Sequence, residues 1–260
     1  MNIEELEVLH GNVKELLLPS KRRIVIREQN GNDDDVVSRV LKTDLSASYN
    51  NFISGIIVYD YTLKKNPTVT DILNYRLNDK YYAMIASRIF SLGKDLKFQY
   101  QWAEEDKPVE YIEDLEQYLG DYSKPLPTQG EPGYNPNIIP AYLDSDLDGI
   151  ALTLTSGKEI RYEYLSGAGE RYLLELNPDD RTVNKQLMAR NLAYKPKEGD
   201  WHKVTNFKVF SSRDMAEIRK NICDNDIEFE GTTDIVNPKD NNNLRLPLIS
   251  ITDFFFPMEI

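Results

Sequence analysis

The chain has 260 residues, of which 40% are hydrophobic and 10% aromatic, and this apolar content excludes a chain that is disordered throughout. The 43 acidic and 31 basic side chains give a net charge of -12, which argues against a nucleic-acid-binding protein because phosphate recognition needs a concentrated basic surface. The single cysteine, Cys223, excludes an internal disulfide bond and a zinc site built from several cysteines.

The first elements along the chain are a leading segment and a strand. Residues 2–18 carry apolar side chains at a helix-like spacing and predict a short helix or a docked arm. The same segment lacks a basic start and a long apolar run, so we expect no signal peptide, and no window is apolar enough for a membrane span. Residues 23–27 predict a strand, which the turn residues Asn30-Gly31-Asn32 end, and the acids at 33–35 favour a helix start.

The strongest helical pattern lies at residues 70–93. Thr70 is the expected N-cap, apolar side chains recur at helical spacing, and Gly93 follows the expected last turn. Residues 96–102 and 109–112 then alternate polar and apolar side chains on either side of a polar loop. These two segments predict a β-hairpin directly after the helix.

Proline and glycine concentrate in the middle of the chain, where residues 120–140 contain five prolines and three glycines. This composition is typical of a linker or an extended surface crossing. We therefore predict two lobes, residues 1–120 and residues 141–260, joined by a Pro/Gly-rich crossing at residues 121–140. The expected fold class is α+β, with helices and short antiparallel β-hairpins in each lobe.

The second half of the chain has its own sequence of elements. Residues 150–154 and 159–165 alternate around a Ser-Gly-Lys turn and predict a second hairpin. A mostly helical stretch follows at 170–193, and residues 211–222 begin with a Ser-x-x-Asp capping pattern and predict a further helix. Residues 244–251 are expected to form a closing strand.

A short acidic segment resembles the first half of a calcium-binding loop. Asp144, Asp146 and Asp148 alternate before Gly149, as carboxylates do when they converge on a cation. The position expected for the bidentate acid is Thr155, and a strand follows where an EF-hand would continue as a helix. An acidic turn entering a strand is the favoured interpretation, and a weak cation site is the alternative.

Catalytic motifs are sparse in this sequence. The two histidines, His10 and His202, stand outside any His-Glu-x-x-His or Gly-x-Ser-x-Gly pattern. The segment Ser166-Gly167-Ala168-Gly169 lacks the ending of a phosphate-binding loop, and a turn before a helix at Glu170 explains its glycines. We therefore expect a protein that is not an enzyme and needs no cofactor.

The most unusual segment is the closing run Phe254-Phe255-Phe256. Each ring buries roughly 150–250 Å² when it is packed, so this run must be covered. Either the rings fold back onto the core of this chain or they anchor it to a partner. The abundance of tyrosine, 16 residues, also suits protein interfaces.

Short motifs follow one another in a fixed order along nearly the whole chain. They lie at residues 18–21 and 33–35, 88–93 and the hairpin after it, 156–158, 214–219, and 253–257. Taken in this order, they resemble the baseplate proteins of T-even-type contractile-tailed bacteriophages, a family that includes the hub subunit or hub assembly protein.

The resemblance also implies Cys-x-x-Cys pairs in the hairpin regions, which would form zinc ribbons. The corresponding residues 102–106 and 237–240 contain no cysteine. We therefore expect no zinc, and hairpins held by packing and by backbone hydrogen bonds.

The sequence and the resemblance together predict a non-enzymatic structural or assembly component of a contractile-tail baseplate, located in the virion and assembled in the bacterial cytoplasm. Its expected partners are other tail proteins in a hetero-oligomer, with neither nucleic acid nor membrane. The expected partner-binding residues are Leu17, Leu18, Phe254, Phe255 and Phe256, within an arm at 16–18 and the closing run. Two alternatives stay open: an assembly factor that leaves before the virion matures, and a metal-dependent hydrolase using Asp144, Asp146 and Asp148.

Overall fold

A computed structural model describes most of the chain as an α+β protein, which confirms the expected fold class. The described residues are 2–40, 45–103, 107–120, 130, 138–139, 149–196, 199–226 and 231–256. Most of the predicted crossing at 121–140, and the acidic segment at 144–148, lie outside these residues. No helix in the described ranges is both long and apolar enough to cross a membrane.

Among the described residues, the first half of the chain contains ten helices and strands. They are α1 (Ile3–His10), β1 (Val13–Leu17), β2 (Arg23–Arg27), α2 (Gly31–Val40), α3 (Leu45–Ile56), β3 (Ile57–Asp60), α4 (Val69–Leu73), α5 (Leu77–Leu92), β4 (Asp95–Tyr100) and β5 (Val109–Asp114). A short 3-10 helix at Leu115–Tyr118 follows the hairpin of β4 and β5.

The second half begins with short strands and ends with a hairpin and a one-turn helix. Its elements are β6 (Ile138–Ile139), β7 (Gly149–Thr153), β8 (Glu159–Glu163), α6 (Gly167–Leu174), α7 (Val183–Ala189), β9 (Ala193–Lys195), β10 (His202–Lys203), α8 (Ser212–Asn225), β11 (Thr232–Val236), β12 (Asn243–Pro247) and α9 (Thr252–Phe255). Further 3-10 helices lie at Pro178–Asp180, Phe207–Val209 and Leu248–Ser250.

The strands form small antiparallel sheets. The first sheet has the order β1-β2-β3, and a larger sheet has the order β10-β9-β8-β7-β6. The pairs β4-β5 and β11-β12 are two-stranded. The predicted hairpins at 96–112 and 150–165 are therefore confirmed, with registers that pair Phe98 with Tyr111 and Ile150 with Tyr162.

The predicted helix at 70–93 is two helices in the structure, α4 and α5. Thr68, two residues before the predicted N-cap Thr70, caps α4 by accepting a hydrogen bond from the backbone N–H of Asp71. The helix is interrupted between them because the Tyr75 side chain is buried in the core. The N–H of Leu77 also donates a hydrogen bond to the carbonyl oxygen of Leu165 at 2.7 Å. Tertiary contacts thus override a continuous local helical pattern.

The leading segment is a helix followed by a strand, where a single helix or arm was expected. Asn2 and Glu5 form a capping box at the start of α1, and Gly11 ends it with a positive φ of 75°. Residues 30–32 were expected to be a turn, but α2 already begins at Gly31. Asp33 then binds Arg27 with two hydrogen bonds of 2.7 and 2.8 Å.

Three hydrophobic clusters stabilise the chain. The first core cluster lies beneath the first sheet and α5 and includes residues from both halves, with Ile235, Leu248, Ile251, Phe254 and Phe255 from the C-terminal segment. The second core cluster is built within residues 150–222. A small third cluster, Leu6, Val25 and Val58, joins α1 to the outer face of the first sheet.

The clusters divide the chain differently from the predicted lobes 1–120 and 141–260. Residues 231–256 belong to the second lobe by position, yet their apolar side chains pack with the first half. The carbonyl of Val236 accepts a hydrogen bond from the Tyr111 hydroxyl at 2.9 Å, and that of Thr232 accepts one from the Tyr118 hydroxyl at 3.0 Å. The β11-β12 hairpin is thereby fixed to the β4-β5 hairpin.

Candidate partner-contact site

The closing aromatic run packs inside the first core cluster. Phe254 is 0% exposed and Phe255 is 5% exposed. The Phe255 ring stacks on Tyr49 with 5.9 Å between centroids and meets Phe52 edge-on at 5.5 Å. Phe254 and Phe255 are therefore core residues of this chain, which corrects their expected role as partner anchors. Only Phe256, half-buried against the same cluster, keeps exposed area.

Tyr49 ties this aromatic group to the segment that precedes it. Its hydroxyl donates a hydrogen bond to the carbonyl oxygen of Ile249 at 3.1 Å. Burial, and to a lesser degree the negative charge of Glu170, raises the pKa of Tyr49 to about 12. The hydroxyl therefore stays neutral at physiological pH and acts as a structural donor.

The two leucines predicted as partner contacts lie on opposite faces of β1, because neighbouring side chains of a strand alternate. Leu18, just after the strand, is 0% exposed and belongs to the first core cluster, as does Leu16. Leu17 is half-buried and faces outward. Leu18 is thus a core residue, contrary to expectation, while Leu17 is placed where a partner could contact it.

The turn after β1 is fixed by buried polar groups. Asp60, 0% exposed, accepts a hydrogen bond from the Arg22 guanidinium at 2.8 Å and another from the Tyr75 hydroxyl. The backbone N–H of Ser20 donates to Asp79 at 2.9 Å. Burial and the charge of Asp60 hold the pKa of Tyr75 far above its usual range. These groups close the turn and leave no free carboxylate on Asp60.

A second polar group joins α5 to α6. The Lys80 ammonium, whose side chain is 4% exposed, binds a Glu170 carboxylate oxygen at 2.6 Å. The Tyr81 hydroxyl donates to the other oxygen at 3.0 Å, and burial and the charge of Glu170 raise the pKa of Tyr81. The Arg76 guanidinium lies over the Tyr164 ring at 3.8 Å. This junction links the first core cluster to the elements of the second.

A third polar contact connects the β7-β8 hairpin turn to α8. Lys158 Nζ lies 2.5 Å from an Asp214 carboxylate oxygen, and Asp214 also accepts from the backbone N–H of Ser211. Burial alone would raise the pKa of Asp214, but hydrogen bonds from Lys158, Ser156 and Ser211 hold it well below its usual value. The predicted capping pattern is confirmed and has a tertiary partner in addition.

The glycines at the start of α6 have a packing role. Ser166 is the N-cap, and α6 begins at Gly167, three residues before the predicted start at Glu170. A Cβ atom on Gly169 would lie 2.5 Å from the carbonyl oxygen of Ala189, so only glycine allows α6 to approach α7 this closely. A cavity of about 250 Å³ beside this helix start includes Lys203 in its lining, and Lys203 Nζ donates to Asn191 at 2.6 Å.

The outer face of the first sheet carries half-buried aromatic and exposed charged side chains beside Leu17. Glu15 binds Arg23 at 2.6 Å and accepts a hydrogen bond from the Tyr61 hydroxyl at 3.0 Å. The Arg23 guanidinium lies over the Tyr61 ring at 4.4 Å. Tyrosine and arginine are enriched at protein interfaces, so this face has a composition suited to partner contact.

The helix α1 covers part of that face and exposes apolar side chains of its own. Val8 is 87% exposed and Leu9 65% exposed, while Leu6 on the opposite side is 0% exposed. Sequence analysis did not identify this surface, because residues 2–18 were assigned to one element. The break at Gly11-Asn12 and the turn at Pro19-Ser20 were the signals that could have separated α1 from a strand pairing with 23–27.

The acids of the possible cation site, Asp144, Asp146 and Asp148, lie outside the described residues. Within the ranges that the structure covers, no group of three or more His, Cys, Asp or Glu side chains is arranged to hold a metal ion. Cys223 is exposed as a free thiol.

The segments that carry the resemblance can now be located. Residues 18–21 form the turn after β1, 88–93 end α5, 156–158 form the β7-β8 turn, 214–219 lie in α8, and 254–255 lie in α9. Comparison of the chain with family models, with curated proteins and with solved structures finds no match.

Proposed function

We propose that the chain is a non-enzymatic structural or assembly component of a contractile-tail baseplate, in its hub region, and that it acts through protein–protein contacts. The proposal takes the family from the order of the sequence motifs. In it, the chain is made in the bacterial cytoplasm and joins a hetero-oligomer of tail proteins in the virion. An assembly factor that departs before the virion is complete is the alternative within the same system.

The supporting observation is that the motif segments make long-range contacts of the fold. Ser20 binds Asp79 across 59 positions, and Lys158 binds Asp214 across 56 positions. Phe255, near the end of the chain, stacks on Tyr49. Because the motifs that carry the resemblance also determine the fold, they support a fold shared with the baseplate proteins. Such a fold is what a structural subunit contributes to an assembly.

The buried carboxylates support the same role, because each has a partner within the fold. Asp60 binds Arg22, Glu170 binds Lys80, and Asp226 binds Arg190 at 2.8 Å. A buried charge that is paired and hydrogen-bonded fixes the relative position of two elements. These side chains are engaged in holding elements together, which suits a rigid building block.

The surface supports docking to other proteins. Exposed apolar side chains, Val8 and Leu9, occur on α1, within a chain whose net charge is -12. A high net charge keeps a free subunit soluble, and apolar side chains inside a polar rim supply affinity once a partner excludes water.

The test is co-purification of a tagged chain with tail or baseplate proteins from infected cells. We expect the chain to appear with them, and stoichiometric counting in purified particles separates a resident subunit from a departing assembly factor. The Phe254→Ala variant, which we expect to be poorly folded, measures how much tail protein co-purifies non-specifically. A folded wild-type chain that binds no tail protein would contradict the proposal.

A further inference from the structure

In the part of the chain that the structure describes, no strand pairs with the backbone groups along the outer edge of β1. The N–H of Leu18 bonds to the carbonyl of Arg22 at 2.9 Å, and the N–H of Glu28 bonds to that of Asn12 at 3.1 Å. Hydrogen-bonded pairs alternate along an antiparallel ladder, so positions 12, 14, 16 and 18 face β2. Val13, Glu15 and Leu17 therefore direct their N–H and C=O groups away from β2.

This edge is the end of its sheet. Among the described residues, β2 is the one strand that pairs with β1. The other side of β2 is occupied by β3, as the bond from the Tyr61 N–H to the Arg23 carbonyl shows. Three donors and three acceptors on β1 thus form a template for one more strand.

The side chain of Glu15, at the centre of this edge, is held over the sheet. Glu15 is drawn across the sheet by Arg23 of β2 and by Tyr61 beyond β3, at 2.6 and 3.0 Å. Its carboxylate therefore leans inward over the sheet and away from the edge. Val13 and Leu17, on either side of it, are half-buried. Natural edges are often blocked by a proline or a bulge, and residues 13–17 contain no proline, with a continuous register against β2.

The charges on α1, the helix that contacts β1, indicate the kind of segment that fits. The helix α1 contacts β1 and exposes three acids, Glu4, Glu5 and Glu7. The same helix exposes Val8 and Leu9. Within β1, Lys14 is the one basic residue. An incoming strand in which basic and apolar side chains alternate would match both the acidic charge and the apolar area.

We propose that the β1 edge accepts an extended, basic segment of a partner protein, which adds a fourth strand to the first sheet alongside Val13, Glu15 and Leu17. The inference adds a binding site to the proposed function. It rests on that function only in taking the partner to be a tail protein. Backbone hydrogen bonds supply affinity in such strand addition, and the alternate side chains supply specificity. A second copy of this chain is disfavoured as the occupant because two surfaces of the same acidic charge would meet.

The sharpest variant is Glu15→Pro. The Glu15 N–H points away from β2, so proline removes a donor from the free edge and leaves the β1-β2 ladder intact. The matched control is Glu15→Ala, which removes the same carboxylate and its bonds to Arg23 and Tyr61 but keeps the N–H. Circular dichroism and thermal melting establish that both variants are folded before binding is measured.

The probe is a synthetic peptide, Lys-Val-Lys-Val-Lys-Val-Lys, with a control peptide in which the central valine is replaced by proline. In the free chain, we expect the amides of Val13, Glu15 and Leu17 to exchange with solvent at least about tenfold faster than those of Lys14 and Leu16. The peptide should protect the first three amides and leave the other two unchanged. The control peptide should protect none.

The two variants then separate backbone pairing from charge. We expect Glu15→Pro to weaken peptide binding by about tenfold or more, and Glu15→Ala to change it by less than about threefold. The proposal would be overturned if both variants lost the same peptide affinity or if the peptide did not bind. It would also be overturned if the peptide protected the amides of residues 13–17 without distinguishing alternate positions. A concentration-dependent dimer with the three edge amides already protected would overturn the hetero-partner and identify a second copy as the occupant.

Incorporation into isolated tail particles distinguishes this inference from the proposed function. If the wild-type and Glu15→Ala chains enter the particle and the Glu15→Pro chain does not, the result supports both the strand addition and the proposed function. Equal incorporation of all three chains overturns the edge and leaves the proposed function standing. If no chain enters the particle, the proposed function is wrong, and the peptide titration alone decides whether the edge accepts a strand.

Discussion

The strand β1 and the helix α9 were both expected to contact partners, and the structure uses them differently. In α9, Phe254 and Phe255 both enter the first core cluster. In β1, Leu16 enters the same cluster while Leu17 and Glu15 face outward. Two adjacent side chains of a one-turn helix can both point into the same core. In a strand, adjacent side chains point to opposite faces of the sheet. An apolar segment thus predicts burial, and its secondary structure decides how much of it remains for a partner.

The largest expected effect comes from Phe254→Ala. We expect the free energy of unfolding to fall by about 3–5 kcal/mol, because the ring is fully buried and its removal leaves a cavity. Phe256→Ala, at a half-buried position beside the same cluster, should cost less than about half of that. Urea denaturation of both variants measures the difference. If both substitutions lowered the free energy of unfolding by the same small amount, the aromatic run would be a partner anchor and not part of the core.

The next effect separates the two leucines of the β1 region. Leu18→Ala should lower the free energy of unfolding by about 2–4 kcal/mol, since Leu18 is 0% exposed. Leu17→Ala should cost less than about 1 kcal/mol, since its side chain is only half-buried on the outer face. The same denaturation assay applies. A reversed order would mean that the faces of the strand are assigned the wrong way round.

Tyr49→Phe tests the packing around α9 through pH. At neutral pH the loss of the bond to Ile249 should cost about 1 kcal/mol. The folded state raises the pKa of Tyr49 to about 12, above its usual value of about 10. The unfolded chain therefore loses this proton first, and the contribution of Tyr49, complete below pH 10, is lost as the pH rises towards 12.

The measurement is the difference in unfolding free energy between wild type and Tyr49→Phe at pH 8 and at pH 11. We expect the wild type to lose more stability over this interval than the variant does. The other buried tyrosines are common to both chains and cancel in the difference. Parallel pH curves would show that Tyr49 is not buried beside Phe255 as described.

The smallest expected effect is that of Glu15→Ala on stability. The Glu15–Arg23 pair is exposed, with side-chain exposures of 36% and 54%, so its loss should change the free energy of unfolding by less than about 1 kcal/mol. The effect should shrink further in high salt, because exposed charges are screened. A large loss would mean that the outer face contributes to the core and is not kept for contact.

Local signals in the sequence predicted the elements that local contacts determine. The Ser211-x-x-Asp214 pattern caps α8, and the turn at 156–158 joins β7 to β8, because the groups involved are three or four residues apart. The separation of α4 from α5 was missed, since Tyr75 is turned towards Asp60, a residue 15 positions away. No local pattern reports such a contact.

The candidate site was predicted only in part. Of the residues expected to contact a partner, Leu17 is half-buried on the outer face, whereas Leu18, Phe254 and Phe255 are buried in the first core cluster. The burial of Phe255 depends on Tyr49 and Phe52, about 200 positions before the aromatic run. The unpaired edge was also missed, because a strand edge exists only once the order β1-β2-β3 is known.

The first core cluster has a consequence for how the chain is made. Its packing is completed by Ile251 and Phe254, which are synthesised after the β1-β3 sheet, α3 and α5 of the same cluster. During synthesis, the β1-β3 sheet and α5 therefore keep apolar surface uncovered until residues 251–255 have emerged. Products that stop before residue 250 should expose this surface to chaperones and proteases.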